Sequence, residues 1–446
     1  MHLPRPATTT SVALLPALTL ALLWATDASP VLAQAASEAP AEVLTLPEAI
    51  DRALRFAPAA VGARVATDDA SAGLMEARGD LLPSINLGST FATSSNDRFD
   101  QATGRLVSES YSAQATASYE IFSFGRRLAT NRAARARLDA AIAGERDQDF
   151  AVALTTTQIF YDVAAAAELT QVARQRLDRA RAQLEFAEVR LEVGTVTRSD
   201  VLRAELEVGN AELALVDAEA ALRGSSLRLG RQVGVAGAVG VTADALPETA
   251  PALPPLPSLV RIAEGEAPPV RLAQAQLRDR SAQKWGTLTR YAPSLRVSGG
   301  LDWFAFDFPP TDRSWNLRVT ASIPVFDGFS REAALSRNQA QERLAEARYQ
   351  DAVIAARVDV EDAVSQIGAA ERRVAIAERG LGLAREDLRV QEERYQLGVA
   401  TILDLQTSQV ALADAENAWV LERQNLGIAL AQLEAVLGRS LYEMDS

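Results

Sequence analysis

The side chains that most often carry out catalysis are nearly missing from this sequence of 446 residues. It contains no cysteine, and its one histidine is His2. Thiol nucleophiles, cysteine-ligated zinc and histidine-based triads are therefore excluded from the rest of the chain. The sequence also offers no nucleophile paired with a base, no cluster of metal ligands and no glycine-rich phosphate loop. We predict a protein that is not an enzyme and that uses no cofactor and no metal.

The charge balance argues against nucleic acid as a partner. Lys and Arg total 45 and Asp and Glu total 58, so the net charge is −13. Binding to a phosphate backbone needs clustered positive charge.

Apolar residues make up 48% of the chain but aromatic residues only 6%. The apolar residues are therefore mostly small, which favours close packing of helices over a core of aromatic rings.

Two aspartates stand at equivalent positions in a motif that occurs twice. The pattern Arg-x-x-Val/Leu-Gly-x-x-Thr-x-x-Asp-Val/Leu spans residues 190–201 and again 394–405, an offset of 204. Its glycine suits a turn after a helix, and its aspartate suits the start of the next helix. A cap is thus the simple interpretation of Asp200 and Asp404, and it is compatible with a further functional role.

The whole chain consists of two copies of one unit of about 200 residues. The offset of 204 also aligns residues 117–122 with 321–326 and residues 210–215 with 414–419. Further upstream the offset is 210, which aligns residues 82–85 with 292–295. The difference of six residues falls between Pro83 and Ala117, so a loop there is longer in the first copy.

Each copy begins with a helix-like stretch, near residues 46–80 and 256–290, followed by alternating apolar and polar residues. That alternation indicates paired strands within about 84–122 and 294–326, joined by loops over 94–108 and 306–313. Strands of about ten residues can cross a bilayer when tilted. The alternative is an ordinary soluble hairpin, and the two strand pairs alone do not decide between them.

Long helices follow the strands in both copies. Apolar residues at heptad spacing predict helices over about 126–192, 198–232, 330–396 and 402–437. The helix after the first turn carries a second apolar stripe, from Leu202 to Ala220, beside its main one. Two stripes predict a helix that is packed on both sides, as in a closed ring of helices. A two-stranded coiled coil is the simpler alternative, but it would not need the second stripe.

The chain divides into four parts by these patterns. Residues 1–35 have the features of a secretory signal peptide, with cleavage after Ala33 or Ala35, because the apolar run from Val12 to Ala25 is too short to span a membrane. We expect no transmembrane helix after it. The first repeat covers 36–234, an inter-repeat linker 235–257, and the second repeat 258–446.

The duplicated motif and the order of helix, strand hairpin, long helix, tip turn and helix resemble the TolC-type outer membrane factors of Gram-negative bacteria. The resemblance covers essentially the whole mature chain. It implies an α+β membrane protein in which each homotrimer forms a 12-stranded outer-membrane β-barrel and a periplasmic α-helical barrel. It further implies outer membrane lipid around the strands, a periplasmic adaptor at the helical tips and, through the adaptor, an inner-membrane transporter.

The resemblance also assigns roles to residues at the tips. Asp404 matches an aspartate that faces the channel axis, and Thr407 stands where a second such aspartate is found in relatives. Tyr395 and Asp200 match a tyrosine–aspartate link, whereas Ala400 replaces an arginine that makes another link, so a closed state would be held less firmly. The implied periplasmic aperture comprises Asp404, Thr407, Asp200 and Tyr395, and the implied adaptor-docking tips comprise Gly194, Thr197, Gly398 and Thr401.

We therefore predict an outer-membrane exit duct of a tripartite efflux pump or type I secretion system. It would conduct substrate passively from an inner-membrane transporter and adaptor to the exterior. The alternative is a periplasmic coiled-coil adaptor or scaffold. Adaptors, however, have a lipoyl-like β-domain interrupted by a single hairpin, whereas here the unit of helix, strand hairpin and helix occurs twice.

Overall fold

The computed structural model describes residues 42–100, 104–243, 245–439 and 441, so the predicted signal peptide lies outside the described residues. Within them the same order of elements occurs twice. The first copy contains β1 (Glu42–Leu44), α1 (Leu46–Phe56), α2 (Pro58–Gly79), β2 (Ser84–Asp100), β3 (Arg105–Phe122), α3 (Arg126–Glu192) and α4 (Arg198–Gln232). The second contains β4 (Val239–Val241), α5 (Leu256–Glu266), α6 (Pro268–Leu288), β5 (Ser294–Ala305), β6 (Asp312–Ser322), α7 (Ser330–Gln396) and α8 (Ile402–Leu437).

The helix-like stretch at the start of each copy is two helices rather than one. Ala57 and Ala267 leave the helical conformation, with ψ angles of 128° and 137°. Each precedes a proline, and proline both lacks an N–H donor and disfavours the helical conformation of the residue before it. A single continuous helix at these places is therefore wrong, although proline at the first helical position begins the second helix well.

Each helix pair packs closely against the end of a helix that is distant in the sequence. A Cβ atom added to Gly438, after α8, would lie 2.7 Å from Cδ of Pro268 at the start of α6. A Cβ atom added to Gly234, after α4, would lie 2.8 Å from Cγ of Phe56. Both glycines have positive φ angles, 68° and 78°. Glycine thus lets the end of α8 approach the start of α6 closely, and the end of α4 approach the end of α1.

The four long strands form one antiparallel sheet in the order β2-β3-β5-β6. The strands of the second copy have 12 and 11 residues, near the expected ten, but those of the first have 17 and 18. The predicted loop over 94–108 is therefore too long, because residues 98–100 pair with residues 105–107 inside it. A shift of register after Thr93 lets the two strands stay paired despite their turn-forming composition.

The two faces of this sheet differ in polarity. Ile85 and Leu87 on β2 are 73% and 81% exposed, and Leu317 and Trp315 on β6 are 66% and 76% exposed. The strand register places all four on one face. On the other face Asn316 donates a hydrogen bond of 2.8 Å to Asp302. One face is thus apolar and uncovered, which is the arrangement of a membrane-facing sheet.

The segment between the two copies is held against the helices. Its strand β4 pairs in parallel with β1, an element that the sequence analysis did not predict. Nearby, Arg423 of α8 is 4% exposed, donates 2.7 Å to the carbonyl of Leu246, and pairs with Glu168 of α3 at 2.9 Å. Its guanidinium also lies 4.4 Å from the ring centre of Trp419. Arg423 therefore joins the linker, α3 and α8.

The long helices pack side by side. α3 contacts α4 on one side, where Leu177, Ala180 and Ala211 form a buried cluster, and α8 on the other, where Arg179 pairs with Glu416 at 3.2 Å. α7 packs against α8. Of the described helices, α3 alone contains a stretch long and apolar enough to span a membrane, and 39% of that stretch is buried. Helices in the core of a protein have the same length and composition, so this stretch alone does not indicate a membrane span.

Equivalent arginines connect the sheet to the long helices in both copies. Arg127 Nη1 donates 2.6 Å to the Glu120 carbonyl, and Arg331 Nη1 donates 2.9 Å to the Pro324 carbonyl, each pair being 204 residues from its counterpart. Each guanidinium also lies over a tyrosine ring, at 4.9 Å in the first copy and 4.8 Å in the second. These contacts fix the turn from the last strand of each hairpin into α3 and α7.

We predict that Arg331→Gln lowers the free energy of unfolding by about 2 kcal/mol. Arg331 is 9% exposed and donates to Asp327, Pro324 and Val325, so its loss removes three hydrogen bonds made by a buried charged group. Thermal unfolding in detergent, followed by circular dichroism, measures the change. Arg337→Gln is the matched control, because Arg337 is exposed on the same helix. An equal loss in both variants would contradict the assignment.

Candidate functional site at the helical tips

The two tips have the same turn. Gly194 and Gly398 adopt φ angles of 74° and 78°, in the region that favours glycine. After each, a backbone N–H donates back across the turn: Thr195 to the Arg190 carbonyl and Val399 to the Arg394 carbonyl, both at 2.9 Å. This bond satisfies a carbonyl at the end of each long helix and reverses the chain direction.

Each returning helix begins with a reciprocal cap. At α4 the Asp200 carboxylate accepts from the backbone N–H and hydroxyl of Thr197, at 2.9 and 2.8 Å. At α8 the Asp404 carboxylate accepts from the same groups of Thr401, at 2.8 and 2.7 Å. The Asp404 N–H in turn donates to the Thr401 hydroxyl at 3.2 Å. The N-cap residues are thus Thr197 and Thr401, and Asp200 and Asp404 are their partners at the third helical position rather than the N-caps themselves.

Asp404 is nevertheless exposed and charged. The two hydrogen bonds from Thr401 and the nearby Arg394 hold the pKa of its carboxyl below the usual value. Thr407, one turn along α8, is exposed too, and its hydroxyl donates 2.8 Å to the Leu403 carbonyl. Asp414 lies seven residues, or about two turns, further along and is also exposed. Asp404, Thr407 and Asp414 thus lie along one open face of α8, and the sequence analysis did not single out Asp414.

Tyr395 lies between the two tips. It is 4% exposed, and its ring centre lies 6.1 Å from that of Phe186 on α3. The Arg190 guanidinium lies 5.3 Å from the ring centre of Tyr395 and donates 2.7 Å to its carbonyl. Burial raises the pKa of the Tyr395 phenol, and Arg190 partly opposes that shift.

The tyrosine–aspartate link implied by the resemblance is not a hydrogen bond in this structure. The Tyr395 hydroxyl is buried without a hydrogen-bond partner among the described residues, and the Asp200 carboxylate binds Thr197. The connection between the tips is made instead by Arg190 and by Gln406, whose amide donates 3.1 Å to the Arg203 carbonyl. Arg190 belongs to the repeated motif, but its contact across the tips could not be read from the motif.

Within the described part of the chain, no group of three or more acidic, histidine or cysteine side chains is placed to hold a metal ion. The site offers turns, caps and an exposed acidic face rather than a catalytic pocket. Such a surface can contact another protein or influence passing ions.

A match to a family model shows which class of proteins shares these features. The model described as outer membrane efflux protein matches residues 49–235 and again 259–439. The chain belongs to the outer membrane efflux protein family. The predicted family, function and localisation are thereby confirmed: this is an outer-membrane exit duct whose helices extend into the periplasm.

Individual efflux proteins and channels are similar over most of their length. The pyoverdine export outer membrane protein OpmQ of Pseudomonas aeruginosa is 27% identical over 377 residues, which cover 82% of this chain and 75% of OpmQ. Protein CyaE of Bordetella pertussis is 28% identical over 418 residues, which cover 90% of this chain and 86% of CyaE.

Solved structures show the same fold. The outer membrane protein VceC of Vibrio cholerae superposes with a TM-score of 0.74 at 19% identity, covering 89% of this chain and 96% of VceC. The open state of the MtrE outer membrane channel of Neisseria gonorrhoeae gives 0.74 at 21% identity, covering 89% of each chain. The predicted fold class, a helical barrel continued by a β-barrel, is confirmed at this level.

Proposed function

We propose that this efflux duct works as a homotrimer that is joined by a periplasmic adaptor to an inner-membrane transporter, in an efflux pump or a type I secretion system. The observation that supports assembly is the unequal packing of two equivalent helices. α3 has α4 on one side and α8 on the other, whereas α7 has α8 and, among the described residues, no extended packing against α4. A second copy of the chain would supply its own α4 as the neighbour that α7 lacks.

The uncovered faces of α4 and α7 are both apolar. On α4, Leu206 and Leu213 are 65% and 67% exposed and lie opposite Ala204 and Ala211, which are buried against α3. On α7, Ile376 and Leu383 are 60% and 75% exposed and likewise lie opposite the residues that pack against α8. Apolar stripes at heptad spacing are what two helices need to pack side by side.

The sheet supports the same assembly. Its outer strands β2 and β6 have no partner along their free edges in the described structure, and its apolar face is open. A bilayer tolerates strands only where every backbone group is paired, which requires a closed barrel. Three copies of four strands would give the 12-stranded barrel that the resemblance implies. The division into repeats at 36–234 and 258–446, with a linker at 235–257, is part of this proposal.

The tips would carry the contacts that matter for transport. Their turn and cap residues, Gly194, Thr197, Gly398 and Thr401, are exposed at the ends of the helical pairs and would receive the adaptor. The exposed face with Asp404 and Thr407 would point to the channel axis, and Tyr395 and Asp200 would set the position of the tips. The duct would conduct passively, without catalysis of its own.

We predict that Asp404→Ala raises single-channel conductance and weakens block by divalent cations in planar bilayers. Several copies of an ionised carboxylate around one narrow axis attract and hold cations. Glu392→Ala, which removes a partly exposed acid on α7 before the turn, is the control for a general loss of charge. Unchanged conductance and unchanged block in Asp404→Ala would show that this residue does not face the axis.

The lowered pKa of Asp404 gives a pH dependence with a definite sign. A carboxyl whose pKa is lower folded than unfolded stabilises the fold above the unfolded value of about 3.9 and loses that effect as pH falls through the folded value. We therefore expect the melting temperature of the wild type to exceed that of Asp404→Ala by a constant amount from pH 7 to pH 5. The difference should shrink only in stronger acid. A difference that already disappears near pH 5 would contradict the cap.

A further inference from the structure

A groove with an excess of arginine lies where α8 ends and α6 begins. It has a volume of 720 Å³ and lies between α3 and α6, with the turn after α8 at one end. Four of its lining residues are arginines: Arg146 from α3, Arg271 and Arg278 from α6, and Arg439 after α8. Positive side chains thus converge from three segments of a chain whose net charge is −13.

Acidic side chains neutralise only one end of the groove. Glu266 forms an ion pair with Arg439 and lies 4.0 Å from Arg271. Arg146 and Arg278 have no ion pair or hydrogen bond among the described residues, and both are exposed. Asp139 is the other acid in the lining, so two arginine charges remain uncompensated.

The internal duplication shows that these arginines are not needed by the fold. The offsets of 204 and 210 pair Arg146 with Gln350, Arg439 with Val235, Arg271 with Val61 and Arg278 with Asp68. At each of these four positions, the equivalent residue in the other copy is thus not an arginine. Because the equivalent helices and turns form in both copies without arginine at these positions, packing alone does not explain the four arginines.

We propose that this groove binds an oligoanion, a soluble molecule with two or more phosphate or carboxylate groups. Arginine forks bind such groups with two parallel hydrogen bonds, and an uncompensated pair favours a ligand with more than one anionic group. Arg271 and Arg278 are seven residues apart on α6, which corresponds to about 10 Å along the helix. Phe150 and Pro268 provide an apolar wall for the part of the ligand between its charges.

Calorimetric titration of the purified full-length protein in non-ionic detergent at low salt tests the proposal. The probes are tripolyphosphate and citrate in separate titrations. We expect saturable binding of at least one probe, with one site per chain, and the tighter of the two identifies the groove as preferring phosphate or carboxylate. The double variant Arg146→Gln/Arg278→Gln should weaken that binding at least tenfold.

The matched control is Arg132→Gln/Arg135→Gln, which removes two exposed arginines of α3 that do not line the groove. It should change the affinity by less than twofold. A second variant, Arg278→Asp, introduces the residue type of the other copy and should abolish binding, while circular dichroism and size-exclusion chromatography confirm folding. No saturable heat with either probe, or an equal loss in the control, would overturn the proposal.

Discussion

Replacing Gly398 by valine should abolish transport while leaving the assembled duct intact. Gly398 has a φ of 78°, a conformation that costs other residues about 1–2 kcal/mol and β-branched residues more. A Cβ atom there would meet only Arg190 Nη2 at 3.6 Å, an ordinary contact, so the effect comes from the backbone. The turn would have to change its path, and with it the position of the cap on α8 and of the surface proposed to receive the adaptor.

Rescue of the transport defect of a deletion strain measures this effect. Gly382→Val is the matched control, because Gly382 lies on α7, which leads into this turn, has no positive φ and has open space around its Cβ position. It should restore transport fully. If Gly398→Val also restores transport at normal abundance, the tip turn is not required for docking.

The second large effect is expected from Leu206→Glu combined with Leu213→Glu. Burying each leucine in an interface between copies contributes about 2 kcal/mol, and a glutamate without a partner there adds a cost of its own. We expect the assembled duct to be replaced by monomer. Cross-linking and light scattering in detergent measure the number of copies in the particle.

Val410→Glu/Leu421→Glu is the matched control for adding charge. These residues are 40% and 44% exposed on α8, which has α3 and α7 of the same chain on its two sides. This variant should assemble like the wild type. An assembled Leu206→Glu/Leu213→Glu variant would place the contact between copies elsewhere, and disassembly of both variants would point to general destabilisation.

The sequence predicted the long helices and the order of elements well because each depends on local pattern. The last heptads of α3 and α7 are regular, and each helix is followed two residues later by a glycine that the turn requires. The family resemblance rested on the same duplicated features, and the family is confirmed. The cap at Asp404 also follows from local spacing, since it joins residues three positions apart.

Contacts between distant segments were missed. Strands β1 and β4 have three residues each and pair across nearly 200 residues, so neither has a usable periodicity. The first hairpin was taken to be shorter because residues 94–108 are rich in turn formers, yet pairing across the sheet overrides that preference. At the tips, the stacking of Arg190 on Tyr395 depends on how α3 and α7 are placed, which no spacing within one helix reveals.

The sheet order also determines when the barrel strands can be completed during export. β3 pairs with β5, and the whole of α3, α4, α5 and α6 lies between the partners Tyr111 and Ala305 in the sequence. The first hairpin therefore leaves the translocation machinery long before its neighbour, with an apolar face and a free edge that invite aggregation. During export, strand β3 therefore lacks its β5 partner until the second hairpin has also crossed.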